Sequence, residues 1–146
     1  MVDNSVFKLI PKKLITNVSN IDINEILSKD IICIYFSASW CPPCKLFTPL
    51  LKSVYEEWKQ QHNSIEIIFA SSDRNSYEFS QYFKTMPWTA IKFEDKSQSQ
   101  NLQQYLKKNG IPSLVVFDKT GKILDNEGTQ TVKKYSSGAF GVWKSN

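Results

Sequence analysis

The chain has 146 residues, which is the size of one domain that buries about two-thirds of its unfolded surface. Its 41% apolar content excludes a disordered chain, and its longest apolar run, at 31–36, is far too short to span a bilayer. The net charge is only +4 and Arg74 is the only arginine, which argues against a nucleic-acid reader, because such proteins depend on bidentate arginine.

The amino terminus does not resemble a secretory signal, because Asp3 and Pro11 interrupt its apolar stretch. The cysteines, Cys33, Cys41 and Cys44, are odd in number, which does not fit a secreted disulfide framework. The sequence therefore predicts a reducing, cytoplasmic location.

Short elements open the chain. Residues 6–10 and 14–18 are predicted to form short strands, which Pro11 separates. Asp22 and Glu25 then have the spacing of a capping box, which predicts a short helix immediately after Asp22.

A strand and a helix meet in the next segment. The apolar run Ile31–Ala38 is rich in β-branched residues and predicts a strand buried on both faces, as in parallel sheets. The prolines at 42 and 43 can open a helix, and Pro49 is expected to kink it. The apolar face of this helix is predicted to contain Leu46, Phe47, Leu50, Leu51, Val54, Tyr55 and Trp58.

The second half of the chain continues the alternation of strands and helices. Ile65–Ala70 predicts a second buried strand, and Asn75 can cap the helix that follows it. A further helix through Leu102 is expected to end at Gly110, and residues 113–125 predict a closing hairpin. This order of elements predicts an α/β fold with a mixed sheet.

Chemistry is expected at Cys41-Pro42-Pro43-Cys44, where the buried strand ends and the helix begins. Two cysteines three positions apart on a helical turn can bring their sulfur atoms within bonding distance. Cys41 lies at the helix amino terminus, where free N–H groups and the helix dipole favour a thiolate, and Lys45 can add positive charge. Cys41 is therefore predicted to attack a disulfide, and Cys44 to resolve the product.

Other uses of the cysteines remain open at this point. A Cys-x-x-Cys pair can be half of a zinc site, which Cys33 and His62 would have to complete, or it can be a structural disulfide. A dithiol at a strand-to-helix junction is more typical of a redox motif, so no metal is predicted. Cys33, inside a strand, is predicted to be a small buried hydrophobic residue.

A longer pattern surrounds the dithiol. It consists of Tyr-Phe-Ser-Ala-Ser-Trp-Cys-Pro-Pro-Cys at 35–44, Ser-Ser-Asp-Arg at 71–74, Met-Pro-Trp at 86–88 and Gly-Ile-Pro-Ser-Leu-Val-Val-Phe-Asp at 110–118. Together these segments resemble the tryparedoxin and nucleoredoxin branch of the thioredoxin superfamily over about residues 28–128. The resemblance implies a single thioredoxin-like domain over residues 1–146, with a central mixed β-sheet flanked by helices.

The same resemblance implies roles for residues near the dithiol. Pro112 is expected in a cis bond beside it, where the backbone of Ile111 would face an extended substrate segment; X-Pro bonds are also where cis peptides occur. Trp40 is expected to form an apolar rim for a partner protein, with ordinary partial burial as the alternative.

Two further residues match the branch. Asp73 follows the second buried strand and resembles an acidic residue of the branch, with a helix cap as the alternative interpretation. Tyr35 stands where classical thioredoxins have a buried acid, and tyrosine is a poor base at neutral pH. Ser72 stands where the branch often has tryptophan, so contacts of that tryptophan are not carried over.

The predicted site therefore contains Cys41 and Cys44 as catalytic residues. The supporting residues are Tyr35, Trp40, Pro42, Pro43, Asp73, Ile111 and Pro112. No function is predicted for residues 129–146, but Phe140 and Trp143 are expected to pack against the body of the domain.

The predicted function is that of a monomeric thiol–disulfide oxidoreductase that reduces protein disulfides without a cofactor. The resemblance implies that a low-molecular-weight thiol or a reductase supplies electrons, and that disulfide-containing proteins such as peroxidases receive them. Neither nucleic acid nor a membrane is an expected partner. The alternative is a redox-gated binding adaptor like nucleoredoxin. A peroxidase of thioredoxin fold is a third hypothesis, although the usual lone peroxidatic cysteine with a nearby threonine or arginine is not evident.

Overall fold

A computed structural model describes residues 5–146. Asp3, which interrupts the apolar stretch at the amino terminus of the sequence, lies outside the described residues. Within that range seven strands form one mixed sheet in the order β2-β1-β5-β4-β3-β6-β7. The strands are β1 (Lys13–Ile15), β2 (Asn20–Asp22), β3 (Ile31–Ser37), β4 (Ile65–Ser71), β5 (Thr89–Ala90), β6 (Ser113–Asp118) and β7 (Ile123–Asp125).

The α-helices of the described residues pack on both faces of this sheet. They are α1 (Ile23–Leu27), α2 (Pro42–Gln60), α3 (Ser76–Phe83), α4 (Lys96–Tyr105), α5 (Gly128–Tyr135) and α6 (Ala139–Lys144). The predicted α/β fold with a central mixed sheet flanked by helices is therefore confirmed. None of the helices in residues 5–146 has the length and apolar character needed to cross a membrane.

Strand β3 is buried on both faces, as its continuous apolar run predicts. Alternate side chains of a strand point to opposite faces, so Ile31, Cys33 and Tyr35 join one core and the residues between them join the other. The first core contains α2, α3, α5 and α6, and the second contains α1 and α4.

The register of the central strands brings three loops to one edge of the sheet. Strand β3 pairs in parallel with β4, so that Ser37 lies opposite Ser71. It pairs antiparallel with β6, so that Phe36 lies opposite Ser113, the first residue of that strand. We call this edge, where β3 and β4 end and β6 begins, the dithiol edge, because a short loop joins the end of β3 to Cys41.

Most of the apolar face predicted for helix α2 is buried in the structure. It begins immediately after Cys41, and Pro49 lies inside it. Leu50 is half-buried, and the fully covered members are Phe47, Leu51, Val54, Tyr55 and Trp58. Leu46 is 81% exposed, so the prediction that placed it on this face is wrong. Residues five positions apart differ by about 140° around a helix axis, which directs Leu46 away from Leu51 at the centre of the buried stripe.

The first predicted strand, at residues 6–10, is wrong, because Ser5–Leu9 forms a 3₁₀ helix. Its buried residues Val6 and Phe7, with Ile10, have the three- and four-residue spacing of a helix. The strand predicted at 14–18 is also too long, since β1 ends at Ile15. There the Thr16 hydroxyl accepts hydrogen bonds from two backbone N–H groups and forms a turn.

The end of α4 also differs from its prediction. The helix ends at Tyr105, not at Gly110, and Lys107 takes the left-handed conformation with φ 57°. Backbone N–H groups of Lys107 and Lys108 close the helix by bonding back to its last turn, which is a Schellman motif. These hydrogen bonds offset the strain of a non-glycine residue at that position.

Strands β2 and β5 and helices α5 and α6 were not predicted. Strand β5 joins β1 to β4, and α5 and α6 cover residues 128–144. Trp143 is buried and packs against Trp58, with ring centroids 5.7 Å apart, and Phe140 is partly buried on the same core. The expectation that this tail packs on the body of the domain is confirmed.

Candidate active site

The two cysteines of the motif form a close pair at the start of α2. Cys41 and Cys44 are bonded as a disulfide, with Cα atoms 5.2 Å apart. Cys41 is 5% exposed and Cys44 is fully buried, so a partner molecule can approach only Cys41.

Local geometry directs one backbone donor at the Cys41 sulfur. Cys41 is the N-cap residue of α2, and the N–H of Cys44 donates to its Sγ atom over 3.3 Å. Pro42 and Pro43 have no N–H, and the N–H of Lys45 donates instead to the Cys41 carbonyl oxygen. A negative charge on Cys41 Sγ would thus meet one N–H donor and the positive end of the helix dipole.

The loop before β6 covers the other side of the dithiol. The Ile111–Pro112 peptide bond is cis, as the resemblance implies. The carbonyl oxygen of Ile111 lies 3.8 Å from Cys41 Sγ, and its side chain packs against Ala38 and both cysteines. A pocket of about 280 Å³ adjoins this loop and is lined by residues 107–113, Glu127 and Thr129.

Trp40, directly before the dithiol, is 43% exposed. Its indole N–H donates to the carbonyl oxygen of Ser72 over 2.9 Å, and the guanidinium of Arg74 lies 5.2 Å from its ring. The indole is thus fixed against the loop after β4 while keeping an open surface. Arg74 was not predicted to be a neighbour of Trp40, although it belongs to the Ser-Ser-Asp-Arg segment that resembles the tryparedoxin and nucleoredoxin branch.

Asp73 is buried between two loops. Its carboxylate accepts hydrogen bonds from the Ser39 N–H over 2.7 Å and from the Ser71 hydroxyl over 2.6 Å. Helix α3 is capped by Asn75 instead, so the helix-cap interpretation of Asp73 is wrong. Asp73 therefore connects the end of β4 to the turn that precedes Trp40.

Tyr35 belongs to a chain of buried hydroxyl groups. Its hydroxyl bonds to Thr48 over 2.6 Å, Thr48 bonds to Tyr82 over 2.7 Å, and Tyr82 bonds to Ser37 over 2.7 Å. Burial, with a smaller contribution from Tyr82, raises the pKa of Tyr35 well above its usual range. A tyrosine with so high a pKa does not act as a base at neutral pH. No sequence pattern linked Thr48 or Tyr82 to Tyr35.

Cys33 lies away from the dithiol, inside the first core. It is a free thiol and completely buried, as predicted for a small hydrophobic residue. Burial, and then the carboxylate of Glu66, raise its pKa well above the usual value, so it stays neutral. His62 is exposed in the turn after α2. In the part of the chain that the structure describes, no group of three or more His, Cys, Asp or Glu residues could hold a metal ion.

Comparison with known proteins gives consistent matches. A family model described as thioredoxin-like matches residues 29–123. Probable nucleoredoxin 1 of Arabidopsis thaliana is 38% identical over a region that covers 82% of this chain and 22% of that protein. Nucleoredoxin of Mus musculus is 40% identical, covering 65% of this chain and 22% of its own length. The chain spans between about a fifth and a third of the length of the curated relatives that it matches.

Solved structures match over nearly the whole chain. Native tryparedoxin I from Crithidia fasciculata has a TM-score of 0.85 and 30% identity, covering 92% of this chain and 94% of its own. Tryparedoxin from Trypanosoma brucei has a TM-score of 0.86 and 30% identity, covering 94% and 96%. A tryparedoxin II complexed with glutathionylspermidine has a TM-score of 0.84 and 28% identity, covering 92% of both chains.

Proposed function

The chain belongs to the thioredoxin-like family, in its tryparedoxin- and nucleoredoxin-like branch, and on that premise we propose that it reduces protein disulfides by dithiol–disulfide exchange. The observation that carries the proposal is the Cys41–Cys44 pair at the helix start, with a backbone N–H directed at Cys41 Sγ. A pair that closes into a disulfide can deliver two electrons to a partner without a cofactor.

Cys41 performs the first step. In the reduced protein its thiolate attacks one sulfur of the partner disulfide, forming a mixed disulfide and releasing the other partner sulfur as a thiolate. The N–H of Cys44 and the helix dipole stabilise the attacking thiolate. The burial of Cys44 supports this assignment, because a fully covered sulfur cannot meet a partner first.

Cys44 performs the second step. Its sulfur, deprotonated for the attack, forms a bond to Cys41 Sγ and displaces the second partner sulfur. The protein loses two electrons and gains a disulfide, and the partner gains two electrons. The two protons given up by the protein dithiol equal those taken up by the two partner thiolates.

The surface around Cys41 supports docking of an extended partner segment. The exposed indole of Trp40 and the exposed prolines Pro42 and Pro43 provide apolar contacts on one side. The cis bond before Pro112 and the nearby Ile111 carbonyl provide a backbone contact on the other. Disulfide-containing proteins such as peroxidases are the proposed substrates.

Regeneration requires an electron donor. A related tryparedoxin II has been solved in complex with glutathionylspermidine, which supports a low-molecular-weight thiol in that role here, with a protein reductase as the other candidate.

We also propose that residues 1–146 act as one thioredoxin-like domain, as a monomer in the cytoplasm.

Turnover tests the proposal directly. A catalytic amount of the protein is mixed with an excess of a disulfide-containing test protein, and glutathione, a synthetic dithiol and a thioredoxin reductase are supplied in separate reactions. Many disulfides reduced per protein molecule with at least one donor supports the oxidoreductase. No turnover with any donor, together with a partner affinity that changes when the dithiol is oxidised, would favour the adaptor hypothesis instead.

A further inference from the structure

A cation–aromatic pair lies beside the proposed attacking cysteine. The Arg74 guanidinium covers the ring of Trp40, whose indole N–H is bonded to Ser72. The next loop residue, Asp73, is bonded to the N–H of Ser39. These three contacts connect two of the three loops of the dithiol edge, the loop before Cys41 and the loop after β4, so the position of Arg74 relative to the dithiol is fixed by the fold.

The guanidinium of Arg74 is free to bind an anion. Arg74 is exposed, and none of the ion pairs among residues 5–146 includes it. The neighbouring carboxylates form other hydrogen bonds: Asp73 accepts from Ser39 and Ser71, and Glu78 accepts from the backbone N–H of Arg74. A guanidinium stacked on an aromatic ring keeps its N–H edge available for two parallel hydrogen bonds to a carboxylate.

The distance from Arg74 to the dithiol suits a peptide substrate. Trp40 is adjacent to Cys41, so the guanidinium lies within roughly 17 Å of the Cys41 sulfur, a span that three or four extended residues and a glutamate side chain can cover. Lys45, in the first turn of α2, is also exposed and belongs to no ion pair of the described residues, and it adds a second positive charge near Cys41.

We propose that Arg74 is a specificity-determining residue that binds a carboxylate of the partner protein and so favours disulfides in acidic segments. The inference rests on the proposed reductase function and names the substrate class of the same site. The partner carboxylate is expected three or four residues from the cysteine that Cys41 attacks, where an extended segment on the Trp40 side reaches Arg74. The glutamate or aspartate side chain supplies two oxygens that match the arginine fork.

Three peptide disulfides test this proposal. They are identical except at the positions three and four residues on either side of the cysteine, which carry glutamate, glutamine or lysine. Initial rates of reduction by the reduced wild-type protein give kcat/KM for each peptide at low and at high salt. We expect the glutamate peptide to react about fivefold faster than the glutamine peptide, and the lysine peptide to be slowest. The preference should shrink at high salt because the contact is exposed.

Matched charge variants assign the preference to a residue. Arg74→Gln should reduce the glutamate-to-glutamine ratio to about one, and loss of its contact with Trp40 would slow all three peptides alike, so the ratio and not the absolute rate is the readout. Lys122→Gln removes an equal charge at the opposite end of the sheet, after β6, and should keep the full preference. Far-UV circular dichroism and thermal unfolding confirm that both variants are folded.

The outcomes separate the inference from the function on which it rests. Equal rates for the three peptides at low salt, or a preference that survives Arg74→Gln, would overturn the role of Arg74 and leave the reductase function standing. If the wild-type protein reduces none of the peptides and no test protein, the proposed function fails, and the inference fails with it.

Discussion

At the carboxyl end of β3, which leads into the dithiol, the side-chain contacts centre on a buried carboxylate, whereas at its amino end exposed ion pairs of Asp30 accompany a hydrogen bond from the Asp30 N–H to Ser64 Oγ over 3.0 Å. At the carboxyl end, Asp73 is 7% exposed and accepts bonds of 2.7 and 2.6 Å from the Ser39 N–H and the Ser71 hydroxyl. A buried carboxylate is costly to leave unpaired, so these bonds restrict the loop before Trp40 to one geometry.

At the amino end, Asp30 pairs with Lys119 at 3.0 Å and with Lys144 at 3.1 Å. The Asp30 side chain is 36% exposed, and the lysines are more exposed still. Exposed ion pairs are screened by salt and contribute little to stability. The buried carboxylate that fixes a loop geometry therefore lies at the dithiol edge, where exchange chemistry requires the cysteines and the docking surface to keep fixed positions.

The largest effect is expected from the dithiol itself. Cys41→Ser should lower the rate of disulfide reduction by at least about a thousandfold, because the attacking sulfur is gone. Cys44→Ser keeps the attack and removes the release, so it should accumulate mixed disulfides through Cys41. Pull-downs from cell extract detect these mixed disulfides, and mass spectrometry before and after added dithiol identifies the cysteine that carries each adduct. Adducts on Cys44 of the Cys41 variant, with none in the reverse case, would contradict the assigned roles.

The second effect concerns the buried carboxylate at the same end. Asp73→Ala leaves the Ser39 N–H without its acceptor and should lower the free energy of unfolding by about 2 kcal/mol. It should also slow disulfide reduction, because the turn before Trp40 loses its anchor. Asp73→Asn retains an acceptor for Ser39 and is the matched control. Chemical denaturation and initial rates, measured on all three proteins, test both expectations; equal rates for the wild type and Asp73→Ala would count against the anchoring role.

The third effect lies in the interior of β3, between its two ends. Cys33→Ala removes a buried thiol and should cost about 1 kcal/mol of stability while leaving disulfide reduction nearly intact. Burial raises the pKa of Cys33, so in the native wild-type protein this thiol should also resist alkylation at neutral pH. Mass mapping of alkylated cysteines and a denaturation curve provide the measurements. A folded Cys33 variant without turnover would show that two cysteines are insufficient for the mechanism.

The smallest effect is expected at the amino end. Hydrogen bonds from Lys119 and then Lys144 lower the pKa of Asp30 below 3.8, its ordinary value. A lowered pKa in the folded state means that the stabilisation is present at neutral pH and is lost as the pH falls below about 4, through the folded-state pKa. Because the group is exposed, Asp30→Asn should cost no more than about 0.5 kcal/mol at pH 7.

Denaturation curves at pH 7 and pH 3, each at low and high salt, measure this small contribution. The difference between the wild type and Asp30→Asn should shrink at pH 3 and at high salt. Glu56→Gln, which changes an exposed carboxylate of α2, provides the control. A cost of 2 kcal/mol or more, about as large as that of Asp73→Ala, would remove the difference between the two ends of β3.

Much of the site was predictable because its signals are local. The apolar run of β3, the prolines that open α2 and the position of Cys41 between them are enough to locate the strand–helix junction. The cis bond before Pro112 followed from the resemblance. The prediction for Leu46 is wrong because a spacing rule was applied in place of the angle around the helix axis.

The rest depends on contacts between distant parts of the chain. Trp40 meets Ser72 and Arg74, and Ser39 meets Asp73, across more than thirty residues of sequence. Thr48 bonds to the hydroxyl of Tyr82, which comes from a different helix. Contacts between residues so far apart in the sequence produce no periodic pattern, so they cannot be identified from the sequence.

The sequence by itself determined the central strands β3, β4 and β6 and the helices α2, α3 and α4, and it placed the dithiol at a helix start, because backbone preference and apolar period act over a few residues. The tertiary structure decided what surrounds the dithiol. The parallel register of β3 on β4 and the antiparallel register of β6 bring the loops before Cys41, after Ser71 and before Ser113 to one edge of the sheet. Register is set by the packing of both faces of the sheet at once, and only the complete fold specifies that packing.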